Sequence, residues 1–261
     1  MKNLIVSLTA LVVVLASCSK SSDTPVVTPP TSNSTSYLLK KFIVTPLGSS
    51  NGITTDINYN GNKFVKSVSS DGTSKIFTYT GDLITKAENF DGTVLEFSDN
   101  FSYNTDGKLA AHTELTYTTA TTGTGIKTMY VYNANGTISY TRKAGDLISQ
   151  NTLSGTGTAT LTNGEITKIE KYSGSSTTNP NVITYTYDGK NNQFKNVTGY
   201  SASSFFDEIP DGFTQNVLKV VNTQSPSANE TNTYTYNSDN FPLTKGKVST
   251  ANGTYNVQFF Y

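Results

Sequence analysis

The chain has 261 residues, with 19 basic and 19 acidic side chains that cancel in net charge. Charged residues make up only 15% of it, so the basic footprint of a nucleic-acid binder is absent. The chain holds 16 Tyr and 13 Phe, no Trp, one His and one Cys; aromatics set among Thr, Ser, Asn and Gly favour strands and turns over helices.

The first segment, "MKNLIVSLTALVVVLASCSK", places Lys2 before an apolar run from Leu4 to Leu15. That run is too short for a transmembrane helix and ends in small residues, as a secretory signal does. "LASC", Leu15 to Cys18, resembles the lipobox of bacterial lipoproteins. The resemblance implies cleavage after Ser17, leaving residues 1–17 as signal peptide and Cys18 as the lipid-attachment site. With Cys18 the only cysteine, no intrachain disulfide can form. Residues 18–36 follow as a Ser/Thr/Pro-rich stretch without hydrophobic period, expected to be a disordered tether between the lipid and the domain.

From Tyr37 to Tyr261 one phrase recurs: aromatic-x-Tyr, a polar turn with Gly or Asn, an aliphatic residue, then Thr, Ser or Lys. Its copies are "INYNGNKFVKSV" at Ile57, "FTYTGDLITKAE" at Phe77, "FSYNTDGKLAAH" at Phe101, "YVYNANGTISYT" at Tyr130, "YTYDGKNNQFKN" at Tyr185 and "YTYNSDNFPLTK" at Tyr234. "ATLTNGEITKIE" at Ala159 carries Leu161 in place of the tyrosine. The spacing of roughly 20 to 30 residues is one hairpin plus its return. Alternation puts Lys75, Phe77 and Tyr79 on one face, opposite Ser74, Ile76 and Thr78. An aromatic face backed by a Thr-rich face describes an antiparallel sheet solvated on one side. Covering the aromatic face requires the sheet to curl, so the expected fold is an all-β antiparallel meander of repeated hairpins forming a curved sheet, half-barrel or barrel-like domain over residues 37–261. A membrane barrel would need a continuous apolar outer band; Thr, Ser and Lys on the second face argue for a water-facing wall. "GYSASSFFDEIPDGFTQNVLKVV", Gly199 to Val221, breaks the phrase. It is expected to be an irregular insertion near residues 201–221, with a short helical turn between Phe205 and Val221.

The repeat is loosely similar to the Tyr-Asp repeats of Rhs-type proteins. More closely, the lipobox, the Ser-rich stretch, "YTYD-KNN-FKN", "NFPLTK" and the terminal "TYNVQFFY" resemble a Bacteroidota lipoprotein family of unknown function with a porin-like fold. That resemblance implies β architecture and a place in the cell envelope, at the outer membrane through the lipid. It implies no catalytic residues.

Chemistry is sparse. His112 falls on the face opposite Leu109, Ala111 and Leu115, expected to face solvent, and no nucleophile motif accompanies it. One His and one lipidated Cys cannot build a zinc site, and Asp and Asn cluster where turns need them. The carboxylates Glu88, Glu96, Glu114, Asp207 and Glu208 are scattered, without the pairing a glycosidase needs. The expectation is a non-enzyme without cofactor or metal. It binds a glycan, peptide or envelope protein, with Phe205, Phe206 and Phe213 of the irregular segment as contact or plug. A purely structural envelope component with a self-filled aromatic core is the alternative, and a carbohydrate-active hydrolase the lesser one. The anchor is directly testable: wild type should incorporate radiolabelled palmitate and partition into detergent, whereas Cys18→Ala should do neither. Equal labelling of the two would remove the anchor.

Overall fold

The structure, a computed structural model of the chain, describes residues 37–204, 212–251 and 253–261. Cys18, the expected tether and Phe205, Phe206, Asp207 and Glu208 lie outside the described residues. In chain order the strands are β1 (Lys41–Pro46), β2 (Ile53–Asn60), β3 (Lys63–Ser69), β4 (Thr73–Thr80), β5 (Leu83–Asp91), β6 (Val94–Tyr103), β7 (Leu109–Tyr117) and β8 (Gly123–Tyr132). They continue as β9 (Thr137–Gly145), β10 (Gln150–Thr162), β11 (Glu165–Ser173), β12 (Asn181–Asn191), β13 (Gln215–Asn222), β14 (Glu230–Tyr236), β15 (Pro242–Ser249) and β16 (Tyr255–Phe260). Each pairs antiparallel with its neighbours in sequence, and β1 pairs with β16 from Lys41↔Phe260 to Pro46↔Tyr255, closing the barrel. The expected meander is therefore fully closed, which leaves no free sheet edge.

Alternation decides the two faces. Ala87 and Ile169 point inward and are buried. Their neighbours point outward as ion pairs, Lys86–Glu88 at 2.6 Å and Lys168–Glu170 at 2.9 Å. These charged pairs stand at mid-strand on the outer wall with Thr and Ser beside them, where a lipid-facing band would make such charges costly. The inner face holds two hydrophobic clusters. Ile84, Leu109, Tyr130, Tyr140, Ile166, Ile169, Tyr185 and Val217 belong to one, and Leu39, Ile57, Phe64, Val197, Val257 and Phe259 to the other.

The recurrent phrase has a structural reason. At the end of the barrel where Tyr37 and Tyr261 lie, the return strand carries a β-bulge opposite Tyr59, Tyr79, Tyr103, Leu161 and Tyr236. A bulge interrupts the ladder and sharpens the local twist. The tyrosine of the next repeat reaches back to the bulged strand. Tyr103 Oη donates to the Ile84 carbonyl at 2.6 Å, Tyr132 Oη to Leu109 at 3.1 Å, Tyr187 Oη to Ile166 at 2.6 Å and Tyr261 Oη to Pro242 at 3.1 Å. Tyr79 Oη accepts from the Phe64 N–H at 3.1 Å, and Tyr59 Oη donates to Leu39 at 2.8 Å, so the ring of contacts passes the closing seam. Burial raises the phenol pKa of Tyr79 and Tyr132 to about 12, so these hydroxyls stay protonated. "TNGE" forms a tight turn with positive φ at both Asn163 and Gly164, the two-residue hairpin geometry. "NANG" differs: positive φ falls on Gly136 alone, and the Gly136 N–H donates to Asn133, a wider turn closing on a left-handed glycine.

Two expectations are corrected. His112 is buried, because the bulge opposite Tyr103 inserts Ala110 and inverts the face of everything after it in β7. Of the stretch expected to be irregular, Gln215 to Asn222 is strand β13 and a helical turn, α1, spans Tyr200–Ser203, while residues 205–211 lie outside the described residues. Tyr103→Phe should lower unfolding free energy by about 1–3 kcal/mol, the cost of stripping a partner from a buried carbonyl, with an unchanged far-ultraviolet spectrum. Urea titration measures it, and an unchanged midpoint would show that the hydroxyl contributes nothing.

Candidate functional site

Chemistry-bearing side chains gather on the inner wall and in the segment joining β12 to β13. The inner face becomes polar away from the tyrosine ring. Lys75 follows Phe77 and Tyr79 on the inner face of β4, and Asp99 follows Phe101 on β6. His112 pairs across the ladder with Phe101 on one side and Thr128 on the other. His112 Nε2 lies 3.0 Å from Asp99 Oδ1 with its ring stacked on Phe101 at 5.1 Å, and Lys75 Nζ lies 3.9 Å from Asp99 Oδ2. Burial lowers the pKa of the Lys75 ammonium, and the Asp99 charge opposes that shift. Farther round the barrel, Glu230 and Lys247 pair on adjacent strands with side chains 8% and 9% exposed. The two charges offset each other's desolvation.

The irregular segment is anchored by carboxylates and amides. Glu165, 2% exposed, accepts from the N–H groups of Phe213 at 2.7 Å, Thr214 at 2.8 Å and Gln215 at 2.9 Å, and from the Thr214 hydroxyl at 2.9 Å. Asp188, the acidic residue of "YTYD", accepts from Asn216 Nδ2 at 3.0 Å and from the Tyr236 hydroxyl. Asn192 accepts from the Phe194 N–H at 2.9 Å and donates to the Gly212 carbonyl at 3.1 Å. On the other side, Asn196 Nδ2 donates to the Tyr37 carbonyl at 3.0 Å and the Thr198 N–H to Asn62 at 2.9 Å. The described part of the segment is thus tied to β11, β12 and the β2–β3 turn, with the rings of Phe194 and Tyr200, tilted at 40° and 4.7 Å apart, packed against the inner cluster.

Beside Phe194 the filling is incomplete. A cavity of about 360 Å³ lies between the segment and the inner faces of β1, β15 and β16. Phe42, Val44, Val257, Phe259, Tyr255 and Phe194 form its apolar wall, and Gln193 and Lys245 bring polar groups to it. Its size sits near the lower end for small-molecule sites, roughly 300–1,000 Å³.

The expected site residues fare unevenly. Phe213 is partly buried and packs against the larger inner cluster. Glu88 is held by Lys86 on the outer wall, and Glu96 on β6 and Glu114 on β7 are both exposed. No group of three or more His, Cys, Asp or Glu suited to a metal occurs among the described residues. Glu165, Asp188, Gln193 and Lys245 escaped sequence reasoning. Glu165 had a signal: it stands first in its return strand, where the other copies carry Lys63, Leu83, Leu109 and Thr137. Glu165→Gln should cost about 1.5–3 kcal/mol, since charged acceptors make the stronger hydrogen bonds, and should raise amide exchange at Phe213 to Gln215. Unchanged protection there would remove Glu165 as the anchor.

No family model and no curated protein matches the sequence. Solved structures do. A porin-like protein from Bacteroides vulgatus ATCC 8482 superposes with a TM-score of 0.55 at 12% identity, over 86% of this chain and 98% of that one. A porin-like protein from Bacteroides uniformis ATCC 8492 gives a TM-score of 0.46 at 14% identity, over 85% and 97%. The first likeness is one of fold along nearly the whole barrel: this chain has the porin-like architecture seen in Bacteroides.

Proposed function

We propose that this protein is a non-enzymatic component of the bacterial cell envelope, tethered by lipid at Cys18, whose barrel holds a small ligand beside the irregular segment. The observation that carries the reading is the cavity of about 360 Å³ beside the irregular segment, walled largely by apolar side chains from the inner faces of β1, β15 and β16. Interiors are close-packed, and a void of this size forfeits contacts along its lining. The porin-like fold of the Bacteroides neighbour supports an envelope setting. The lipobox-like "LASC" supports attachment through Cys18. The ion pairs on the outer wall support a barrel that stands in water beside the bilayer.

The described part of the irregular segment turns its aromatics inward. Phe194 and Phe213 pack against the inner clusters, which weakens the reading of those rings as an outward contact for a glycan, peptide or protein. The purely structural reading rests on the same packing, because most of the inner face is filled by its own side chains. The two readings part at the cavity. A neutral naphthylamine dye should bind wild type with a rise in fluorescence, and Val257→Trp, which fills the cavity, should abolish it. A wild type that takes up no dye and gains thermal stability from Val257→Trp would establish the structural reading.

A further inference from the structure

Lys247 stands on the inner face of β15, opposite Asn232 of β14 on one side and Tyr255 of β16 on the other. Residues directly opposite in an antiparallel ladder hold their Cβ atoms about 4.5–5.5 Å apart, within the reach of a lysine. The Lys247 ammonium turns back over β14 to meet the Glu230 carboxylate, two residues from Asn232 on the same face. Glu230 and Lys247 are buried, and Asn232 is 3% exposed. Asn232 Nδ2 donates to the Val217 carbonyl at 3.0 Å, which orients the amide, while its buried Oδ1 has no hydrogen-bond partner among the described residues. A lysine, a carboxamide and an acid enclosed on facing strands are the parts an amide exchange needs. We propose that Lys247 and Asn232 join in an intramolecular isopeptide bond, with Glu230 as the proton carrier, which stitches β14 covalently to β15.

The steps balance without an outside reagent. Proton transfer from Lys247 to Glu230, already in contact, leaves an amine with a free electron pair and a carboxylic acid, and removes two charges that burial disfavours. The amine nitrogen bonds to Asn232 Cγ, and the carbonyl electron pair moves onto Oδ1. Glu230 gives its proton to Oδ1, the atom the fold leaves without a partner, and is within reach because it touches the attacking nitrogen. Glu230 next relays a proton from that nitrogen to Nδ2. The Cγ–Nδ2 bond breaks, the carbonyl re-forms as Oδ1 returns its proton to Glu230, and ammonia leaves with that proton as ammonium. The product is one secondary amide, and Glu230 is a carboxylate again. Elsewhere on the inner face Lys75 also stands opposite a carboxamide, Asn89 of β5, but its side chain is 37% exposed and its acid, Asp99, is 3.9 Å away and shared with His112. On β15 the lysine is enclosed and touches its acid.

Tryptic mapping of the purified full chain by tandem mass spectrometry, with the protein denatured after folding and incubation, tests the bond. Trypsin cuts after a free lysine and not after an acylated one. Wild type should yield a branched peptide joining residues 220–245 to residues 246–261, uncut after Lys247 and lighter than the two pieces by one ammonia. Asn232→Ala should yield the pieces unlinked and cut after Lys247. Glu230→Gln should reduce the linked fraction at least about tenfold, within the usual worth of general acid–base catalysis, and Glu230→Asp should recover part of it. If Glu230→Gln melts early, Glu230→Asp decides: a slower appearance of the branch is expected, and a wild-type rate would overturn the role of Glu230. Folded wild type without the branched peptide would overturn the bond, as would an ammonia loss carried by Asn252 in a linear peptide. A branch at Lys245 would overturn the choice of lysine.

Discussion

The barrel depends on a hydrogen bond between a tyrosine hydroxyl and the bulged strand of the preceding hairpin. A meander of short strands needs strong twist to close, and bulges supply it at the cost of a broken ladder. A backbone group set loose in a buried wall must find another partner. The tyrosine provides it from the neighbouring repeat, between 15 and 23 residues downstream. Each bond contributes about 1 kcal/mol net, and each also fixes one hairpin against the last. Two positions depart from the pattern: Tyr236 donates to the Asp188 carboxylate while Tyr234 reaches the Val217 carbonyl at 3.1 Å, and one position carries no tyrosine at all. Leu161 replaces the tyrosine where the preceding hairpin, β8–β9, has no bulge opposite Tyr132 and therefore no interrupted ladder to meet.

Much of this was legible in the chain. The aromatic-x-Tyr period reports a hairpin repeat with aromatic side chains gathered on one face, which the register and the inner clusters bear out. Closure was not legible, because the pairing of β1 with β16 joins the most distant strands and leaves no local mark. Bulges were equally invisible: a single inserted residue such as Ala110 looks like any strand residue, yet it sends His112 inward to Asp99. The polar end of the interior was hidden for the same reason. Lys75, Lys245 and Lys247 stand in strands where alternation alone cannot tell a solvated lysine from an enclosed one.

The candidate site arises where the repeat is interrupted. Asp188, Asn192 and Glu165 replace turn chemistry with a set of side-chain bonds that hold an irregular backbone in place. They bring Gln193 and Phe194 over the inner faces of β1, β15 and β16. A rigid hairpin scaffold thus carries one specialised connection, the usual division between frame and function. Reading the site needed the three-dimensional register, since its lining comes from both ends of the chain and from the segment between β12 and β13.

The seam between β1 and β16 also governs the order of assembly. Every other strand pair joins neighbours in the chain, contacts that form early and locally. The seam alone must bring residues near 41 to residues near 260, so its loop-closure entropy falls due after the hairpins exist. Until then the nascent sheet presents two raw edges, each a template for pairing with another molecule. Tyr37, Phe241 and Tyr261 meet beside that seam with ring centroids 5.2 to 5.9 Å apart, Tyr37 stacked on Phe241 and Tyr261 edge-on to both. These ring contacts join the two ends of the chain and can form only once the sheet closes, so they favour the closed barrel over the open sheet with its exposed edges.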